Sequence, residues 1–284
     1  MSNYISPQGY KVLPPIVKNL IIINVLMFVA KIFLGSSMGI DLDDIFGLHY
    51  IGSEKFFPFQ FISYMFMHGN FSHILFNMFA LWMFGSTLEN YWGPKRFLIF
   101  YFVTGIGAAV VHYTVFYFQV SPTLDFINSY VANPNIANFQ SFINSPDFTA
   151  NQLIADQYNN VYVHVANAAG SDAGVLQASV DFMNWYREAF LNLPNVVGAS
   201  GAIYGLLLAF GMSFPNSLIY IYFLFPIKAK WFVIVFGAIE LFSGISNSNS
   251  DNVAHFAHLG GMLFGIFLIL WWKNKDKNKN FYNY

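Results

Sequence analysis

Long apolar segments separated by shorter polar ones are the main feature of the chain. A helix needs roughly 20 apolar residues to cross a membrane, and six segments come close to this length: about 16–34, 71–88, 96–118, 198–214, 230–246 and 253–272. The second and the fifth are short, so they require a locally thinner bilayer or flanking protein. The pattern predicts an all-α polytopic membrane protein, a bundle of six transmembrane helices.

A seventh apolar run, SLIYIYFLF at 217–225, lies between Pro215 and Pro226. It is too short to span as a helix, and a lone strand would leave its backbone groups unpaired in hydrocarbon. We therefore expect this run to lie at the membrane interface.

The distribution of basic residues tests this count of spans. Basic residues in short loops collect on the cytoplasmic side. If the N-terminus is cytoplasmic, six spans place on that side Lys11, Lys18, Lys95, Arg96, Lys228, Lys230 and the lysines of the C-terminal tail. A seventh span would move the lysine-rich tail outside. We expect a multi-pass protein of a bacterial inner (plasma) membrane, with both termini cytoplasmic.

Residues 119–195 interrupt the apolar pattern. The stretch is rich in Asn, Ser and Asp, and its one cation is Arg187. A connection of this length is usually functional or disordered, and the apolar positions leave open whether it folds. The chain thus divides into a membrane domain, 1–118 with 196–284, and an extracytoplasmic insertion, 119–195.

Composition narrows the class of protein. Hydrophobic residues make up 56% and charged residues only 10% of the 284 residues, against about 25% charged in soluble domains. The formal net charge of −1 excludes a strongly basic nucleic-acid-binding protein. The chain has no cysteine, which excludes disulfides, iron–sulfur clusters and thiolate zinc sites.

Polar groups inside three of the spans are candidates for function, because such groups are costly in hydrocarbon. The groups and their neighbouring glycines are His73 and Asn77 in the second span, Gly198, Ser200, Gly201 and Tyr204 in the fourth, and His255, His258, Gly261 and Gly265 in the sixth. Small residues four apart also serve close helix packing alone. Together, however, the three spans supply a nucleophile, a base and oxyanion donors, and the glycines would allow Ser200 Oγ to reach an imidazole nitrogen at about 3 Å.

Metal chemistry is the competing interpretation of the histidines. His68, His73, His255 and His258 are potential ligands, but zinc catalysis usually adds a general-base carboxylate, as in H-E-x-x-H, and no such pattern occurs. We predict no metal and no cofactor. Glu240 is the one acid well inside a span. We expect it to be protonated or to reach toward the outer interface, and we assign it no catalytic role.

Four short motifs contain or adjoin these groups: HGNFSHILFN at 68–77, LENYWGPKRFLIFY at 88–101, GASG at 198–201 and AHLGGMLFG at 257–265. Together and in this order they resemble the motifs of the rhomboid family of intramembrane serine proteases. The resemblance covers nearly all of the chain except 119–195. Two features depart from the family: the first outer loop lacks the Trp-Arg pair of some members, and a short loop is common where this chain has its insertion.

The resemblance implies roles for individual residues. Ser200 would be the nucleophile and His258 the base, in a dyad without an aspartate. His73 and Asn77 would donate to the oxyanion alongside the Ser200 N–H, and Tyr204 would pack on the histidine. The supporting glycines would be Gly198, Gly201, Gly261 and Gly265.

The function that follows is cleavage of membrane proteins in or near a transmembrane helix, with water entering from outside. The partners would be transmembrane protein substrates and lipids, with no nucleic acid; the sequence does not fix the oligomeric state. We expect the insertion to modulate substrate entry. Two alternatives stay open. A pseudoprotease usually lacks the serine or the histidine, and both are present here. A transporter favours inverted repeats, and no internal repeat is found in the sequence.

Overall fold

A computed structural model describes residues 9–166, 173–193, 195–221, 224–246 and 252–281. Within these ranges, five helices are long and apolar enough to cross a membrane: Pro15–Met38, Phe71–Trp92, Pro94–Ala132, Ala229–Ser246 and His255–Asp276. The fourth predicted span is an apolar helix of 14 residues, Ser200–Ser213. The prediction of a mostly helical polytopic membrane protein is confirmed. The count of six crossings stays a prediction.

The elements follow one another with short connections. In chain order they are α1 (Pro15–Met38), α2 (Leu42–Phe46), β1 (Leu48–His49), α3 (Gln60–Ser63), a 3₁₀ turn (Tyr64–Phe66), α4 (Phe71–Ala80), a π-helical turn (Leu81–Gly85), α5 (Ser86–Trp92), α6 (Pro94–Ala132), α7 (Ile136–Ile143), α8 (Gln152–Ala166), α9 (Ala173–Asn192), β2 (Asn195–Val196), α10 (Ser200–Ser213), β3 (Leu218–Ile221), β4 (Phe225–Lys228), α11 (Ala229–Ser246) and α12 (Asn252–Phe281).

The start of α1 shows how the ends of the spans are stabilised. Pro15 occupies the first helical position, where its missing N–H costs nothing. The next two N–H groups donate to the buried carboxylate of Glu89, Ile16 at 3.0 Å and Val17 at 2.8 Å. A negative charge at a helix N-terminus is favourable. Glu89, which belongs to the LENYWGPKRFLIFY motif, therefore joins α5 to the first span.

α6 continues beyond the predicted third span and ends at Ala132, with Pro122 inside the helix. Proline removes one backbone donor from a helix, yet the turn is retained, and the Ser121 hydroxyl donates to the Tyr117 carbonyl at 2.7 Å. The hydropathy falls near residue 119 because the sequence becomes more polar. The residues after 118 remain helical although they are more polar, because helix formation does not require an apolar sequence.

Within the apolar run at 217–225, residues 218–221 form one strand of a hairpin. β3 and β4 pair antiparallel, with Leu218 opposite Lys228 and Ile221 opposite Phe225. The pairing supplies partners for backbone groups that a lone strand would leave unsatisfied. The sequence had indicated that the run does not span, but it had not indicated its pairing partner.

The chain divides into two compact units. The membrane unit comprises Met1–Leu48, Pro58–His112 and Val196–Tyr284, and the insertion unit comprises His49–Phe57 with Tyr113–Asn195. In the membrane unit, eight of the 14 residues of α10 are buried. α10 is therefore enclosed by protein along much of its length.

The insertion unit has a core of its own. Its buried members are Ile127, Tyr130, Phe139, Phe142, Ile154, Val175, Phe182, Met183 and Tyr186. The rings of Phe126 and Phe142 stack at 4.7 Å between centroids. Residues 49–57 join this unit through hydrogen bonds from Ser53 to Asn192 and from Tyr113 to the His49 carbonyl. The stretch whose fold the sequence left open is thus helical.

Candidate active site

Ser200 is the first residue of α10. The preceding turn depends on Gly198, whose φ of +132° is a conformation that residues with a Cβ rarely adopt. The Gly198 N–H donates to the Tyr64 carbonyl at 2.9 Å, which fixes the turn. The first N–H groups of a helix have no intrahelical partner and form its positive end. The hydroxyl and the N–H of Ser200 are therefore both directed away from the helical ladder.

His258 of α12 lies beside this serine. Its Nε2 is 2.8 Å from Ser200 Oγ, which is hydrogen-bond distance. The Tyr204 ring, one helical turn after Ser200, stacks on the imidazole with centroids 4.2 Å apart and planes 8° apart. The two sequence-predicted groups, 58 positions apart in the chain, are thus brought together.

Glycines allow α10 and α12 to approach at backbone distance. A Cβ built on Gly261 would overlap the carbonyl oxygen of Gly201. A Cβ on Gly265 would lie 3.1 Å from the Phe100 ring and 3.6 Å from the Gly205 carbonyl oxygen. Gly260, which the sequence analysis did not single out, faces α6 instead, where a Cβ would lie 2.7 Å from Val111 Cβ. At Gly261, a side chain cannot be added without separating α10 from α12.

His73, on the first turns of α4, faces the same serine. The Gly69 N–H donates to His73 Nδ1 at 3.4 Å, so the proton of the neutral ring is on Nε2. A Cβ built on Gly198 would lie 2.8 Å from that Nε2 and 3.6 Å from Ser200 Oγ. Because glycine has no Cβ, this space stays open between a donor and the nucleophile, where an oxygen atom fits.

Asn77 lies one helical turn after His73, on the same face of α4. The residue is buried, with 7% of its surface exposed, and its Nδ2 has no hydrogen-bond partner among the described residues. A buried donor left unpaired costs about 1–3 kcal/mol. Such a group is available to an acceptor that arrives with a ligand.

Lys31 of α1 supports the turn before α4 from a position inside the first span. Its Nζ donates to the carbonyls of His68, at 2.8 Å, and Gly69, at 3.1 Å, and it forms an ion pair with Asp43. The His68 carbonyl belongs to the same peptide group as the Gly69 N–H that bonds His73. Lys31 therefore fixes the peptide that selects the His73 tautomer.

Of the two expectations for Glu240, that it reaches toward the interface is wrong, and that it is protonated stays a prediction. Its side chain is 8% exposed. Oε1 accepts a hydrogen bond from the Tyr204 hydroxyl, and Oε2 lies 2.6 Å from His255 Nδ1 and 3.0 Å from His258 Nδ1. Three polar partners offset much of the cost of burying a carboxylate. The sequence signal was the acid in an apolar span; its partners on other helices could not be read from spacing.

The same three groups are the possible metal ligands of the site. One ligand atom each of Glu240, His255 and His258 lies within 4.8 Å of the others, and this is the cluster found among the described residues. It differs from the four-histidine set considered from the sequence, in which His68 packs instead against His73 at 5.0 Å between ring centroids. In the cluster, both imidazole Nδ1 atoms already face Glu240 Oε2 at hydrogen-bond distance.

Comparison with known families gives one finding. The family model described as the Rhomboid domain matches residues 56–122 and 156–274, which is more than half of the chain. The matched ranges include all four motifs quoted above and also residues 156–195 of the insertion. Comparison with curated proteins gives no match.

Proposed function

The chain belongs to the rhomboid family, a family of intramembrane serine proteases, and we propose that it hydrolyses peptide bonds through Ser200 and His258. The observation that carries the proposal is the 2.8 Å distance between Ser200 Oγ and His258 Nε2. A weak nucleophile becomes effective when an adjacent base accepts its proton. The serine hydroxyl and the imidazole meet this requirement in a polar site enclosed by apolar helices.

The reaction follows in two proton transfers. Ser200 Oγ attacks the scissile carbonyl carbon while its proton passes to His258 Nε2. The same proton then goes to the leaving amine as the C–N bond breaks, which leaves an acyl-enzyme. Water then repeats the sequence: its oxygen attacks the acyl carbonyl carbon while His258 takes its proton, and the acyl–oxygen bond breaks as His258 returns that proton to Ser200 Oγ.

The negative oxygen of each tetrahedral intermediate needs donors that are already in place. The open space beside Gly198 supports a position for this oxygen, with His73 Nε2–H, Asn77 Nδ2 and the Ser200 N–H as donors. Preorganised donors of this kind are worth about 10²–10³ in rate each. The substrate carbonyl would supply the partner that Asn77 lacks.

The substrates in this proposal are transmembrane proteins, cut in or near a transmembrane helix. A helical segment must unwind locally before its carbonyls are accessible, so small or helix-breaking residues near the cut should favour cleavage. From the lysine distribution we place both termini in the cytoplasm, residues 119–195 outside, and the protein in a bacterial inner membrane.

Labelling with a fluorophosphonate probe tests the proposal. The purified parent protein should react at Ser200 and should cleave a single-span membrane protein. Ser200→Ala and His258→Ala should each lose cleavage, because nucleophile and base act as a unit. Both variants should still purify as folded protein with the parent's helical circular dichroism.

Unchanged labelling of Ser200→Ala would contradict the assignment of Ser200 as the nucleophile. Ser213→Ala is a matched control, since Ser213 closes the same helix at its far end. It should label and cleave as the parent does.

A further inference from the structure

We propose that Glu240 is a positioning residue that extends the dyad to a triad, Ser200–His258–Glu240. The carboxylate would accept the Nδ1–H of His258 and hold the imidazole in the tautomer that takes the serine proton. The inference rests on the proposed function, because it assigns a role only within hydrolysis by Ser200. The family resemblance implied a dyad without an aspartate, and the third member proposed here is a glutamate on α11.

The two nitrogens of one imidazole carry the geometry. Nε2 is 2.8 Å from Ser200 Oγ, and Nδ1, on the other side of the ring, is 3.0 Å from Glu240 Oε2. A neutral imidazole has one donor and one acceptor nitrogen, and the partner of one decides the state of the other. A carboxylate accepts but does not donate. With Glu240 ionised, Nδ1 must hold the proton, and Nε2 is free to accept from Ser200.

The charges also balance through the reaction. When the Ser200 proton moves to Nε2, the ring becomes an imidazolium whose Nδ1–H still faces the carboxylate. Opposite charges attract more strongly in a partly buried site than in bulk water, so Glu240 would stabilise this intermediate. The proton then leaves from Nε2 to the amine, and Glu240 stays ionised throughout.

Glu240 also acts on the ring through Tyr204. Its Oε1 accepts from the Tyr204 hydroxyl, and the Tyr204 ring stacks on His258 at 4.2 Å. One carboxylate thus holds both the imidazole and the ring that covers it. Since Tyr204, Glu240 and His258 come from α10, α11 and α12, the carboxylate also joins three helices.

The alternative to be excluded is that Glu240 only links the helices and does not position His258. His255 provides the comparison, because its Nδ1 lies 2.6 Å from the same Oε2 and it stands on the same helix as His258. If Glu240 only ties α11 to α12, loss of the His255 bond, which is the shorter of the two, weakens the tie and should lower the rate as well. If Glu240 positions His258, loss of His255 leaves the reacting pair intact.

The experiment compares Glu240→Gln with His255→Gln in the full chain, on the same transmembrane substrate. Glu240→Gln should lower kcat and the rate of fluorophosphonate labelling by roughly 10²-fold or more, as expected for a wrong histidine tautomer, with little change in KM. His255→Gln should have a far smaller effect. Glu240→Asp, which keeps the acceptor, should recover part of the lost rate.

A measurement on the parent protein tests the proposal without any variant, so misfolding of a variant cannot affect its result. Nitrogen-15 NMR of histidine-labelled parent protein should find the resting His258 protonated on Nδ1. Protonation on Nε2 would overturn the proposal without any variant. Equal losses in Glu240→Gln and His255→Gln, or an unchanged kcat in Glu240→Gln, would overturn it as well.

The outcomes also separate this inference from the proposed function. If Ser200→Ala keeps its labelling, the protease assignment itself fails. If Ser200→Ala loses labelling while Glu240→Gln keeps the parent's rate, the protease assignment is supported and only the proposed role of Glu240 is contradicted.

Discussion

The membrane unit around Ser200 and the insertion unit are both helical, but different contacts hold their helices together. α10 and α12 meet through backbone, with Gly261 against the Gly201 carbonyl. The helices of the insertion unit meet through aromatic rings, such as Phe139 against Phe182 at 5.8 Å between centroids. Backbone contact leaves no room for an added atom, whereas ring packing loses energy when an atom is removed.

The buried polar groups of the two units also differ, in how many of them are connected by hydrogen bonds. Around Ser200 they form a connected set in which Glu240 bonds both Tyr204 and His258, and His258 bonds Ser200. In the insertion unit the buried Tyr130 and Ser179 form a pair at 2.6 Å within the apolar core. A connected set fixes orientation as well as energy, so small changes near Ser200 should act on rate and changes in the insertion unit should act on local stability.

The largest effect short of removing Ser200 or His258 is expected from an oxyanion donor. Asn77→Ala should lower kcat by about 10²–10³-fold with KM nearly unchanged, because the amide donates to charge present only near the transition state. Steady-state kinetics on a single-span substrate measure the split. Asn24→Ala is a matched control, a buried asparagine whose Nδ2 already donates to the Leu20 carbonyl of its own helix. A raised KM with a normal kcat would instead favour a structural role.

One added methyl group tests the backbone contact. Gly261→Ala should lower kcat/KM by about 10²-fold, since a shift of about 1 Å between reacting groups has that cost. Gly237→Ala is the control, because a Cβ on Gly237 would make only ordinary contact with Met262 Sδ at 3.7 Å. Full activity of Gly261→Ala would show that α10 and α12 separate without consequence, which would remove the distinction drawn between the units.

The membrane unit could be predicted well from the sequence because a lipid environment makes polar residues conspicuous. His73, Asn77, Ser200 and His258 stood out as exceptions in apolar segments, and the helices place His73 and His258 near Ser200. Contacts that depend on crossing geometry could not be predicted. Glu240 was visible as an acid, but its bonds to α10 and α12 follow from how three helices pack.

The fold of the insertion unit was left open for the opposite reason, with only a weak helical pattern noted at 181–193. Its core side chains on α9 recur at helical spacing, with Val175, Ser179, Phe182, Met183 and Tyr186 buried. Exposed Asn, Gln and Asp between them lower the mean hydropathy, so a search for membrane spans passes over the pattern. A search for amphipathic periodicity would have found this helix, though not the inclusion of residues 49–57 in the same unit.

A more moderate effect on the rate is expected from Lys31, whose charge supports the turn that orients His73. Lys31→Met should lower kcat by about tenfold, the scale of one lost charged hydrogen bond, because the peptide that bonds His73 Nδ1 would lose its support. Lys18→Met, on an exposed position of the same helix, should behave as the parent. Equal activity of the two variants would mean that the turn before α4 holds itself in place.

A substitution in the core of the insertion unit is expected to have the smallest effect on the reaction rate. Its effect on the stability of that unit should be large. Phe182 is 2% exposed and stacks with Tyr186 at 6.0 Å, so Phe182→Ala should destabilise this unit by about 3–5 kcal/mol. Phe118→Ala is the matched control, because Phe118 is 70% exposed. Hydrogen exchange across residues 173–193 should accelerate in Phe182→Ala only.

Labelling of Ser200 in the same two samples completes the comparison. The contacts that align Ser200 with His258 come from residues 64–111 and 198–265, so neither variant changes them directly. Sites that share no partner usually act additively, and the labelling rate should stay within about twofold of the parent. If Phe182→Ala loses labelling in parallel with hydrogen-exchange protection, the insertion unit and the catalytic helices fold as one cooperative body. In that case, aromatic packing far along the chain would be as necessary for the chemistry as the glycines of α12.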